Sequence, residues 1–284
     1  MSFHQKPLVY APTIELKVSN LERSLAFYQD VIGLKVLDQT NTKASLTADG
    51  LNPLIKLEQP VDVTPKNDSN TGLYHLALLL PTRKDLGIVL KHFIETRNPL
   101  QGGSDHLVSE ALYLADPDMN GIEIYSDRPS ETWSWNNEHV SMDSRRLDVD
   151  GLLALAEEEE FKGLPKETIM GHIHLQVSDL ASTEKFYCEG LGFEVVTKYG
   201  SQALFVSTGR YHHHIGFNTW HSAGGAAPSE SSAGLKQYTL LFPTEEEKAK
   251  AIDRLSKIGA SVNELNGETF TKDPSGNKIK LLVA

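Results

Sequence analysis

Residues 14–37 read IELKVSNLERSLAFYQDVIGLKVL, and residues 173–196 read IHLQVSDLASTEKFYCEGLGFEVV. Nine of these 24 positions are identical without a gap, at a constant offset of 159. Two further matches keep the same order. TGLYHLALLLPT (71–82) faces AGLKQYTLLFPT (233–244), and DPDMNGIEI (116–124) faces DPSGNKIKL (273–281). A repeat of this length is the first thing a fold assignment has to respect. It predicts a duplicated chain with one domain over 1–126 and a second over 169–284, joined by a linker over 127–168.

Each half divides again. Residues 13–18 alternate as a strand does, Asn20 is placed as a helix N-cap, LERSLAFYQDVI follows as a helix, and Gly33 closes it. Strand-like runs at 34–38, 43–48 and 53–58 complete the unit. The cycle restarts with a strand at 73–80, a helix over 83–96, and strands near 110–115 and 121–126. The second half has strands near 171–177, 193–198, 202–207, 212–218, 236–242, 268–272 and 278–283, with helices from Asp179 and Glu245. The fold class is therefore α+β, with four βαβββ modules at 11–60, 72–126, 170–220 and 235–284. The linker carries Trp133, Trp135 and a helical stretch, VDGLLALAEEEE, whose Glu157–Glu160 run is read as a solvated helix end.

Composition narrows the function. Acids outnumber bases 38 to 27 for a net charge of −11, with no basic stripe, so nucleic acid is not an expected partner. Cys188 is the single cysteine, which rules out an intrachain disulfide and favours a reducing, cytoplasmic location. The longest apolar runs are far too short for a membrane span, and the first residues lack the apolar core of a signal peptide.

Alternate side chains of a strand share a face. In 171–177, Ile173, Leu175 and Val177 form one face and His172, His174 and Gln176 the other. His75 lies on a strand, Glu123 sits between isoleucines opposite their face, and in GRYHHHIGF His213 points away from His212 and His214. Singly, each has an ordinary structural explanation. Their places in the repeat give them weight.

The stretches GHIHLQVSDLASTEKFYCEGLGF, TGLYHLALLLP, HLVSEALYLADPDMNGIEIY and GRYHHHIGF together resemble the vicinal oxygen chelate superfamily of glyoxalases, fosfomycin-resistance proteins and extradiol dioxygenases. The resemblance omits only the linker and the extreme N-terminus, and it is similar above all to the bacterial two-domain catechol-2,3-dioxygenases. It implies that modules pair into two cup-shaped domains and that a metal sits in a cup, held from the first strand of one module and the first and last strands of its partner. The first-strand positions carry over to Thr13, His75, His172 and Gln237, and the last-strand carboxylate position to Glu123 and Lys280. In the usual extradiol arrangement modules three and four would hold the metal, but Lys280 cannot ligate. Modules two and three give His75, Glu123 and His172, a two-His-one-carboxylate set suited to Fe(II), with Mn(II) or Zn(II) as alternatives.

The resemblance further implies that His213 is the catalytic acid/base, with His212 and His214 as alternates, and that Tyr113 and His106 face the substrate. The expected function is metal-dependent extradiol cleavage of catechol or a related aromatic diol with O2, in aromatic hydrocarbon catabolism. The alternatives are a glyoxalase-like lyase or isomerase and a non-catalytic small-molecule binder. A homo-oligomer is left open.

Overall fold

The computed structural model describes residues 2–284. Module one contributes β1 (Tyr10–Lys17), α1 (Leu21–Ala26), β2 (Lys35–Gln39), β3 (Lys43–Thr47) and β4 (Ile55–Glu58). Module two contributes β5 (Gly72–Leu80), α2 (Arg83–Glu95), β6 (Gly102–Asp105), β7 (Ser109–Ala115) and β8 (Gly121–Asp127). The linker holds the short strands β9 (Trp135–Asn136), β10 (His139–Val140) and β11 (Arg145–Arg146), then α3 (Val149–Leu155). Module three runs through β12 (Ile169–Gln176), α4 (Leu180–Glu184), β13 (Glu194–Tyr199), β14 (Ala203–Ser207) and β15 (Ile215–Asn218). Module four runs through β16 (Gly234–Phe242), α5 (Glu245–Lys257), β17 (Val262–Leu265), β18 (Glu268–Lys272) and β19 (Lys278–Val283).

The strands assemble across the repeat. One sheet has the order β17-β18-β19-β16-β1-β4-β3-β2, uniting modules four and one, and the other β11-β6-β7-β8-β5-β12-β15-β14-β13, uniting modules two and three. The joins are antiparallel pairings of first strands, β1 with β16 and β5 with β12. Within a module, the first strand lies parallel to the last, as β5 does to β8 and β12 to β15. A parallel neighbour needs a crossover, which the module's helix provides. The apolar strand faces, among them Ile14, Leu16, Leu76, Leu78, Ile173, Leu175 and Leu240, share one buried core with the helices. The polar alternate faces are left to line the cups.

Local chemistry sets the helix starts. Asn20, Thr82, Asp179 and Thr244 each accept a hydrogen bond from the backbone N–H three residues on, which satisfies a donor the helix cannot. Both α1 and α4 run on into a π-helical turn, at Phe27–Val31 and Lys185–Leu191. The π turn is the same in both halves and presents a tyrosine inward. Tyr28 donates to Asp116 at 3.0 Å and Tyr187 to Asp273 at 3.1 Å. These aspartates open the two matching DPxxN turns. Each also accepts from the backbone and side chain of the following asparagine, Asn120 or Asn277. The turns thus tie the two modules of a half together.

Several boundaries differ from the sequence reading. Strands β6 and β17 were not anticipated, being short, polar and half-exposed. The last strand of module three runs from Ile215 rather than 212, although the His214 backbone already bonds across to Val206 and Ile173. The linker helix ends at Leu155, so Glu157–Glu160 is not a helix end. Carboxylates there would oppose the negative end of the helix dipole. Instead Lys91 Nζ donates to the carbonyls of Ala156, Glu157 and Glu159, and Lys84 pairs with Glu159. Among the described residues no helix is long and apolar enough to cross a membrane.

Candidate metal centre

The first strands β5 and β12 meet in the middle of the nine-stranded sheet. Their register puts His174 opposite His75 and His172 opposite Ala77, while Ala77 lies beside Glu123 on β8. Three side chains from three adjacent strands therefore project from one patch of the concave face. His75 Nε2 lies 3.0 Å and His172 Nε2 3.1 Å from the same oxygen, Glu123 Oε2. All three residues are buried. His172 donates a hydrogen bond to that oxygen, whereas His75 Nε2 lies off-line and has no hydrogen-bond partner. A buried imidazole nitrogen without a partner is costly in a protein interior. Two nitrogens aimed at one carboxylate oxygen make a donor set that fits a divalent cation.

The electrostatics agree. Burial works against the charge on Glu123, but His172 and His75 beside it hold the carboxyl well below its usual range. Burial lowers His172 to about 4, outweighing the attraction of Glu123. At neutral pH the group is a carboxylate with a neutral imidazole, which is the protonation a metal requires of its ligands.

Two glycines let the strands come this close. A Cβ on Gly121 would run into the Tyr74 carbonyl oxygen and crowd the His75 side chain, and a Cβ on Gly171 would run into the Tyr125 hydroxyl. Each lies beside a strand that carries a member of the trio.

His75 and Glu123 of the trio line a half-open cavity of about 750 Å³, together with Tyr74, Tyr113, His174, Phe205, His213 and Trp220 among others. His213 reaches it with its ring 4.1 Å from that of His172. The neighbours in the run face away, His212 toward Asp127 and His214 toward the Phe3 carbonyl. Burial, then the neighbouring histidines, holds His213 well below the usual imidazole range. Tyr113 and His106 both line the cavity and bond to each other at 2.7 Å. The Asp143 carbonyl accepts from His106 Nδ1 at 2.8 Å, so His106 Nε2 is the acceptor and the Tyr113 hydroxyl the donor. Burial, with the Glu123 charge behind it, raises Tyr113 well above its ordinary value. Thr13, Gln237 and Lys280, the matching positions of modules one and four, lie in the other sheet.

The sequence reading missed three contributors. His174 shares the polar face of His172 but was given no role; its ring is 4.9 Å from His75 and its Nε2 bonds to Asn218 at 3.0 Å. The N-terminal segment packs behind the site, where His4 Nε2 donates to the Gly171 carbonyl at 2.7 Å and Phe3 stacks on Trp133. Asp127 lies beneath His212. The alternation of β12 pointed to His174, but nothing in the repeat pointed to the N-terminal residues, which lie outside it.

A model of the Glyoxalase/Bleomycin resistance protein/Dioxygenase superfamily matches residues 11–124 and 169–281. The chain is 47% identical over 275 residues to the Catechol-2,3-dioxygenase of Bacillus subtilis (strain 168), covering 95% of each. It is 26% identical over 111 residues to Metallothiol transferase FosB of Lysinibacillus sphaericus (strain C3-41), covering 38% of this chain and 76% of that one. Among solved structures, glyoxalase I from Zea mays superposes with a TM-score of 0.59 at 16% identity, covering 97% of this chain and 92% of that one.

Proposed function

Because the chain belongs to the Glyoxalase/Bleomycin resistance protein/Dioxygenase superfamily, we propose that it is a metal-dependent extradiol dioxygenase, opening the ring of catechol or a related aromatic diol with O2. The observation that carries this reading is the convergence of His75 and His172 on one oxygen of Glu123. Two histidines and one carboxylate form the set associated with non-haem Fe(II) oxygenases. Fe(II) is the proposed metal, with Mn(II) and Zn(II) as alternatives, and the 47%-identical relative makes catechol the first substrate to test. A four-ligand glyoxalase-type site is less well supported, since module three adds no carboxylate to the trio. A cytoplasmic location fits the lone Cys188.

The metal, held by His75, Glu123 and His172, would supply positive charge for a chelating diol and open positions that bring both reactants together. The chain's own residues do the rest. His213 accepts a proton from a diol hydroxyl and returns it later, which suits an imidazole that burial keeps neutral. The Tyr113 hydroxyl, its proton committed to His106, offers a lone pair to a substrate hydroxyl. Tyr74, Phe205 and Trp220 supply aromatic walls for a planar ring.

The test is aerobic mixing of Fe(II)-loaded protein with catechol, followed by absorbance of the yellow ring-opened semialdehyde. Colour that requires both iron and oxygen is expected. Inert behaviour toward catechols and hydroquinones alike would overturn the reading.

A further inference from the structure

Behind His213 a chain of hydrogen bonds leads out of the cavity. His213 Nδ1 and His212 Nδ1 are 2.8 Å apart, and His212 Nε2 is 2.9 Å from Asp127 Oδ1. The His212 side chain is 1% exposed and that of Asp127 is 22% exposed, so the chain ends at solvent. Asp127 is the last residue of β8, the strand that carries Glu123. Its Oδ1 also accepts from the Tyr211 hydroxyl at 3.4 Å, and Tyr211 bonds in turn to Tyr125 at 2.7 Å.

The donor and acceptor roles follow from one fixed end. A carboxylate oxygen only accepts, so the proton on the outer bond belongs to His212 Nε2. A neutral imidazole then has its lone pair on Nδ1, and His212 Nδ1 accepts. His213 Nδ1 must therefore donate, and its Nε2 keeps the lone pair. With Nδ1 committed to His212, Nε2 is the ring nitrogen left for the cavity that His213 lines.

We propose that Asp127 and His212 are positioning residues that fix the tautomer and ring orientation of His213, so that Nε2 acts as the base toward the diol. The inference rests on the reading of His213 as that base. In the step it serves, the O–H bond of the diol breaks, the oxygen keeps the electron pair, and the proton forms an N–H bond at His213 Nε2. The ring becomes an imidazolium whose Nδ1–H is still donated to His212, with the Asp127 carboxylate at the far end of the chain. The reverse transfer returns the proton. A second-nitrogen partner that sets which ring nitrogen reacts is a common device for histidine.

Two measurements test this on the full chain. The first is the nitrogen-15 NMR of histidine-labelled, metal-free protein, which reads the tautomer without any turnover. His213 should be protonated at Nδ1 and bare at Nε2. Asp127→Ala and His212→Phe should each replace this with a mixture, while Asp127→Asn, which keeps an accepting oxygen, should preserve it. The second is turnover of catechol by the iron-loaded protein. Asp127→Ala should lower kcat about 10–100-fold, the usual loss for an orienting partner, with KM and iron content unchanged within about twofold. Placed on top of His213→Phe, it should change kcat by less than about twofold, because residues acting through one another do not add. A wild-type His213 protonated at Nε2 overturns the proposal. So does a full additional loss in the His213→Phe background, which would mark Asp127 as a fold residue only. If the wild-type enzyme is inert toward catechol, the parent reading falls, and the nitrogen spectra still decide the tautomer.

Discussion

Changing Glu123 to Gln keeps the shape of the side chain and removes its charge from between two buried imidazoles. If the trio holds a metal, the change removes one of three protein ligands. Structural zinc sites with four ligands bind with about 10–16 kcal/mol, which is roughly 3 kcal/mol per ligand. That corresponds to a weakening of about 10²-fold in Kd. The effect is readable as heat stability. A metal present at 100 times its Kd stabilises the wild type by about 2.7 kcal/mol. For a chain of this size that raises Tm by roughly 5–10 °C, at about 2–4 °C per kcal/mol. At the same metal concentration the variant would sit near its own Kd and gain about 0.4 kcal/mol, or roughly 1 °C. The assay is calorimetry with and without metal, alongside metal analysis of protein prepared without chelators. The apo forms should melt close together, since His172, lowered to about 4 by burial, is left neutral rather than as an unpaired charge. A different outcome, in which Glu123→Gln melts far lower without metal and neither form responds to it, would mean a buried polar cluster that serves only the fold.

His213→Phe should leave metal content near normal and lower kcat about 10²–10⁴-fold, the range of general acid–base catalysis; loss of metal instead would make His213 a ligand. Gly171→Ala drives a methyl group into the Tyr125 hydroxyl, which is fully buried and bonded to Tyr211. The overpacking should cost about 1–3 kcal/mol, read as a lower Tm; an unchanged Tm would show that the strands do not need that approach. Tyr28→Phe removes a donor to the buried Asp116, and a loss of about 1–3 kcal/mol is expected, measured by urea unfolding; a neutral result would deny the turn its role. Thr13→Ala and Lys280→Ala should leave metal content unchanged, and loss of metal in either would place the site in the other sheet.

The repeat made the module order legible, because the apolar period changes from two to 3.6 at the same places in each half. Asn20 and Asp179 marked two helix starts through their capping chemistry. The alternation in IHLQV separated His172 and His174 from the apolar face. What it left unread has physical causes. Strands β6 and β17 are short and half-exposed, so no burial pattern marks them. The histidine run 212–214 has a period that suits a strand, yet the outer two rings are each held by a separate partner from elsewhere in the chain. His212 takes Asp127, 85 residues distant, and His214 takes Phe3, 211 residues distant. Long-range side-chain bonds of that kind leave no local trace.

The two sheets form an internal comparison, since their backbones repeat one register with different side chains. Thr239 lies opposite Thr13 and beside Lys280, just as Ala77 lies opposite His172 and beside Glu123. Gln237 holds the place of His75 in this correspondence. In the sheet of modules one and four, Thr13 and Lys280 are satisfied from within. Thr13 Oγ1 donates to the Pro53 carbonyl at 2.8 Å, and Lys280 Nζ pairs with Glu268 at 2.5 Å. Nearby, Lys236 Nζ is held by Glu58 at 2.6 Å and Glu15 at 3.4 Å. Opposite charges occupy the concave face and close it with their own pairs. The sheet of modules two and three instead leaves His75 Nε2 without a partner, beside a carboxylate that already accepts from His172. The corresponding Thr13 and Lys280 both have partners of their own, so the two sheets differ in side-chain chemistry and not in backbone. On the metal reading proposed above, the His–Glu–His trio in one copy of a duplicated scaffold, set against Thr13, Gln237 and Lys280 in the other, is what confines the expected metal to the sheet of modules two and three.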